Sequence, residues 1–151
     1  MSGKRPIYLA HLSSLLGRPR DEVREIGQWH EHILEGLPFA AVESVKARAS
    51  LTDAEIARLL GIGEATLRRA RASQAPLDAP TSDRLYRLSR TIAIAEEVLE
   101  SAENAMRWLK REQPGLRGHV PLELLVTQAG AEQVEALYAS GAAWLIRSSL
   151  S

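Results

Sequence analysis

Arg68, Arg69 and Arg71 cluster within four positions, just after Glu64 and Thr66. Guanidinium groups present donors in a planar fork that fits a phosphate or the O6/N7 edge of guanine. A threonine at this spacing reaches a phosphate or a thymine methyl. The chemistry on offer is therefore recognition of nucleic acid. We expect a DNA-reading set made of Thr52, Gly63, Glu64, Thr66, Arg68, Arg69 and Arg71.

Side chains suited to catalysis do not assemble in this way. His30 and His32 are two positions apart and point to different faces of a helix, so they cannot share a metal. His11 and His119 have no acidic or cysteine partner at ligand spacing, and Glu96 and Glu97 read as a solvated face. The chain has no cysteine, hence no thiolate metal site, disulfide or cysteine nucleophile, which fits a cytoplasmic protein. Neither a phosphate loop nor a nucleophile elbow occurs. We expect no catalytic residue, no metal, no cofactor and no enzyme activity. The first residues lack a long apolar run, so neither a signal peptide nor a membrane span is expected.

The elements that must position the arginines lie in residues 51–72, LTDAEIARLLGIGEATLRRARA. Thr52 and Glu55 have the spacing of a capping box, which starts a helix. Ala57, Gly61 four positions later and Leu67 ten positions later follow the pattern of a helix-turn-helix. Ile56, Ala57, Leu60, Ile62, Leu67 and Ala70 form the face that packs one helix on the other, leaving the arginines outside. An ordinary helical hairpin with a charged outer face is the alternative.

Lys plus Arg and Asp plus Glu both number 19, so the chain is formally neutral, and bulk attraction to DNA is weak. The charge is unevenly placed. Arg84, Arg87 and Arg90 make one stripe, either an extension of the DNA face or a solvated surface, and Glu96, Glu97, Glu100 and Glu103 make an acidic patch. Leu, Ala, Glu and Arg dominate and no stretch alternates with period two, so the fold is expected to be all-α.

Residues 1–37 read as an N-terminal helical extension, with one helix through Leu12 and Leu16 ending at Gly17. A second starts near Pro19 and turns Val23, Ile26, His30, Ile33 and Leu37 inward. Residues 38–100 hold a support helix with Phe39, Val42 and Val45, the helix-turn-helix, a proline-rich loop, and a long helix capped by Ser82 or Asp83. That helix carries Leu85, Leu88, Ile92, Ala95 and Leu99 as a narrow seam, suited to a spine, to its own core or to a dimer interface. Residues 101–151 hold a helix with Trp108, a turn GLRGHVP, a short helix after Pro121, a break at 127–130, and a last helix before Gly141. The apolar tail, with Trp144, Leu145 and Ile146, is expected to dock on the chain or on a partner.

The order helix-turn-helix, SDRLYRLSRTIAIAEEVLE, AMRWLKREQPGLRGHVPLELLVTQAGAEQVEAL resembles the Xre-type antitoxins of bacterial toxin–antitoxin pairs, which end in an Xre/ParS toxin-binding domain. The resemblance rests on Trp108-Leu109, the Leu116/Gly118 turn, residues 121–125 (PLELL), Gly130 and Val134, and covers roughly residues 36–137. It implies two activities. One is neutralisation of a cognate toxin, often an NAD-depleting RES-domain protein, by occluding its active site. The other is repression of the antitoxin's own operon by operator binding as a homodimer. The toxin-binding residues it implies are Trp108, Leu116, Gly118, Pro121, Leu122, Trp144 and Arg147. The chain closes LYASGAAWLIRSSLS, without the charged residues that usually precede the closing glycine in that family. A stand-alone helix-turn-helix repressor, with a dimerisation or ligand-binding C-terminal domain, is the second reading.

Overall fold

The computed structural model describes Leu12, Leu16 and residues 27–140. Trp144 and Arg147, the rest of the tail, and the start of the N-terminal helices lie outside the described residues. Among the described residues the fold is all-α, with eight helices and one 3-10 turn. In chain order these are α1 (Gly27–Glu35), α2 (Phe39–Arg48), α3 (Asp53–Leu60), α4 (Glu64–Ser73), α5 (Ala79–Leu99), α6 (Ala102–Leu109), the 3-10 turn (Pro114–Leu116), α7 (Pro121–Leu124) and α8 (Gln128–Ala139).

Helix α5 is the spine. Leu85, Leu88, Ile92, Ala95 and Leu99 are all buried, and the helix packs against α1, α3, α6 and α8. The seam that could have faced a second copy is thus taken up by the chain's own helices. One continuous apolar core runs from Leu12 and Trp29 through the helix-turn-helix to Trp108 and Val134.

Glu96, expected on a solvated face, is 2% exposed and pairs with Arg48 at 3.1 Å. Three further local readings differ from expectation. Helix α5 begins at Ala79 rather than at Ser82 or Asp83. Asp78 caps it by accepting a 2.8 Å hydrogen bond from the Thr81 amide, and Pro80 sits in the first turn, where its missing N–H costs nothing. Ser82 is instead fully buried, and its hydroxyl accepts from the Leu37 amide at 2.9 Å. In α1, Trp29 takes the inward place expected for His30, which is exposed. The Trp29 ring lies 5.7 Å from that of Tyr86 in α5 and 5.9 Å from that of His32. Finally, 127–130 is the start of a helix and no break. Thr127 caps α8 by accepting from the Gly130 amide at 2.9 Å.

Candidate functional site

The helix-turn-helix forms as its residues require. Thr52 Oγ1 accepts from the Glu55 amide at 3.1 Å and Glu55 Oε1 accepts from the Thr52 amide at 3.0 Å, closing the capping box. These bonds, the Thr52 backbone first, hold the Glu55 carboxyl below its ordinary range. Gly61 adopts φ +70°, the left-handed conformation that ends α3, and its amide bonds to the Arg58 carbonyl. Ile56, Ala57, Leu60 and Leu67 are buried between the helices, with Ile62 and Ala70 packed at their edge.

The second helix, α4, buries only Leu67 and exposes Glu64, Ala65, Thr66, Arg68 and Arg69. Arg69 Nη2 donates to Thr66 Oγ1 at 3.2 Å, so these two side chains are held together on the outer face. Gly63 precedes them as the N-cap, in open space. Thr52 is exposed at the start of α3.

Arg71 departs from the expected set. It does not stand free beside Arg68 and Arg69. Its Nε donates to Glu43 at 2.7 Å, and Nη1 and Nη2 bind the two Asp53 oxygens at 3.1 and 2.9 Å. Lys46 meets the same Asp53 at 2.7 Å. Arg71, then Lys46, push the Asp53 carboxyl far below the usual carboxylate range.

The stripe of Arg84, Arg87 and Arg90 is occupied within the chain as well. Arg84 Nη1 donates to the Leu60 carbonyl at 3.3 Å and wraps under Gly61. Arg87 pairs with Asp83 at 3.3 Å, and Arg90 pairs with Glu135, tying α5 to α8. Lys110 donates to the Ser50 carbonyl at 3.1 Å, which ties the end of α6 to the turn before α3.

In the C-terminal part, four residues expected to meet a toxin line the core. Trp108 is 1% exposed, and Leu116, Pro121 and Leu122 are buried. Their apolar bodies close the space between α5, α6 and α8, so their place is in building the domain. Gly118 is exposed and adopts φ +81°.

The surface is supplied by their neighbours. Gln113 is a buried polar residue whose Nε2 donates to the Trp108 carbonyl at 2.9 Å. Its own carbonyl accepts from Leu116 and Gly118, and its amide donates to the His119 carbonyl. These bonds fix the 113–119 loop, which displays Pro114, Gly115, Arg117, Gly118 and His119. Beside it a groove of about 360 Å³ runs between the loop and α8, lined by Gly115, Leu116, Arg117, Gln133, Leu137 and Ser140. The sequence reading missed Arg117, His119 and Leu137 as surface candidates. The run QPGLRGH marks a turn, but only the Gln113 bonds show which side chains it turns outward.

Residues 28–90 match the antitoxin Xre-like helix-turn-helix domain, and residues 95–137 match the antitoxin Xre/MbcA/ParS C-terminal toxin-binding domain. The class is thus a helix-turn-helix protein with a toxin-binding C-terminal domain. Antitoxin Xre of Pseudomonas putida is 32% identical over 128 residues, which cover 85% of this chain and 78% of that relative. This chain belongs to the Xre family of antitoxins. No helix among its described residues is long and apolar enough to cross a membrane.

Proposed function

We propose that this antitoxin neutralises a cognate toxin by steric occlusion of its active site, and that the toxin is a RES-domain protein that depletes NAD. The observation that carries this reading is the 113–119 loop. It is held by hydrogen bonds inside the domain, presents Arg117, Gly118 and His119 outward, and borders an apolar groove. A pre-fixed protruding loop binds without a large ordering cost. Trp144 and Arg147, which lie outside the described residues, belong to the proposed toxin contact on the family resemblance alone.

The second activity is repression of its own operon by a homodimer in the cytoplasm, with Thr52, Gly63, Glu64, Thr66, Arg68 and Arg69 facing operator DNA. A single helix-turn-helix binds weakly, and two copies on a two-fold operator supply the needed affinity. The match of residues 95–137 favours this pairing of activities over a stand-alone repressor.

The test is co-expression with the product of the adjacent gene. The toxin alone should lower cellular NAD and stop growth, and the pair should co-purify and grow normally. A chain ending at residue 141 should fold yet neutralise less well. A neighbouring protein that neither binds this chain nor becomes harmless with it would sink the proposal.

A further inference from the structure

Helix α4 has little apolar hold on the protein, since Leu67 is its one buried residue, at the middle of the helix. One buried leucine, with Ala70 packed only at the edge, leaves rotation of the helix weakly opposed. A second attachment is made at the C-terminal end by Arg71. Its guanidinium forms a two-bond fork with Asp53 at the start of α3, bonds Glu43 of α2 at 2.7 Å, and lies 5.7 Å from the centre of the buried Phe39 ring. Lys46 of α2 meets Asp53 Oδ1, which Arg71 Nη2 also bonds, at 2.7 Å. Two cations and two carboxylates balance, so this cluster adds no net charge to the DNA face.

We propose that Arg71 is a positioning residue for DNA recognition, which fixes the angle of α4 and hence the aim of Arg68 and Arg69 without itself touching DNA. The planar fork and the stacked ring are features that only arginine satisfies together. Lysine keeps the charge but loses the two-bond fork. This inference rests on the DNA-reading role proposed for α4.

The alternative, a direct Arg71–phosphate contact, predicts effects of opposite sign. Asp53→Asn removes a negative charge near DNA and loosens Arg71, so direct contact would leave binding unchanged or tighten it. Positioning weakens it. A lost phosphate contact also lowers affinity for all sequences alike, whereas a misaimed helix lowers the preference for the operator.

The experiment measures binding of the full chain to the duplex upstream of its own operon and to a scrambled duplex of equal length. Variants are Asp53→Asn, Arg71→Lys, and the milder Glu43→Gln at a half-exposed site. The expected result is a loss of operator affinity of about threefold to about thirtyfold for Asp53→Asn and Arg71→Lys, and a smaller loss for Glu43→Gln. Scrambled-duplex affinity should hold, and toxin binding should persist as the check of folding. If Asp53→Asn binds the operator as well as or better than the parent, the positioning role is overturned while the DNA reading stands. Equal losses on both duplexes overturn it too. If the parent chain, alone or with toxin, shifts neither duplex, the DNA reading fails and this inference with it.

Discussion

Gly130 in the first turn of α8 lies against the backbone of Leu124, so closely that a Cβ on it would sit 1.9 Å from the Leu124 carbonyl oxygen. The obstacle is main chain, which cannot swing aside as a side chain can. This approach lets α7 and α8 pack and brings Val134 into the core. It also explains why a glycine stands at position 130 inside a helix, where its backbone freedom is otherwise unfavourable. Gly130→Ala must push the two helices apart. We expect destabilisation of about 2–3 kcal/mol, read as a lower urea midpoint with loss of toxin binding. A variant as stable as the parent would show that the contact relaxes freely.

Trp108 and Arg117 separate building the domain from the toxin contact proposed for its loop. Trp108 is buried beneath the loop and Arg117 is exposed on it. Trp108→Ala should cost about 3–5 kcal/mol in thermal or urea unfolding, and any loss of neutralisation should follow from that. Arg117 has φ +56°, a left-handed conformation that asparagine also accepts. Arg117→Asn should therefore change stability by less than about 0.5 kcal/mol and still weaken toxin binding in calorimetry. Unaltered binding by this variant would move the contact away from the loop.

Local patterns were the legible part of this protein. The capping box at Thr52, the left-handed turn at Gly61 and the buried Leu67 all follow from residues within a few positions of one another. The spine was legible too, because Leu85 to Leu99 keep one helical stripe. The ion pairs of Arg71 were not legible, because its partners come from 18 and 28 positions away, on other helices, and no local pattern encodes that meeting. The burial of Trp108 was not legible for a different reason. A tryptophan in a binding domain suits a core or an interface equally, and only the packing of α5, α6 and α8 decides. Pro76 and Pro80 marked a loop correctly in one case only, since proline also suits the first turn of a helix, as in α5.

Acid should weaken the fold through its caps and ion pairs. Asp53 is held low by Arg71 first and Lys46 next, Glu55 by Thr52, and Asp78 by Thr81 through its side chain and then its backbone. Each carboxylate is easier to ionise folded than unfolded. Each therefore contributes stability above its unfolded value, 3.8 for the aspartates and 4.5 for the glutamate, and loses it as the pH falls through the lowered folded value. Melting temperature should drop steadily from about pH 5 to about pH 3. Asp78→Asn keeps a helix cap but removes one titrating group, so its melting curve should be flatter over that interval. A melting temperature that rises on acidification would contradict the assignment.

In the DNA-reading role proposed for α4, the neutral chain makes this helix answerable for most of the affinity. With Arg71, Arg84, Arg87 and Arg90 all engaged within the protein, Arg68 and Arg69 are the arginines of α4 presented outward. Arg69 is steadied by Thr66 at 3.2 Å, which lowers the cost of fixing a long side chain against a base. Arg68→Ala and Arg69→Ala should each weaken operator binding by about 1–3 kcal/mol in a gel-shift titration, if each contacts a base. Thr66→Val, which removes the hydroxyl that holds Arg69, should weaken it less. Few phosphate contacts also mean a shallow dependence on salt, because each neutralised phosphate adds only about one unit to the slope. Operator affinity that survives in the double arginine variant would place DNA recognition elsewhere than on α4.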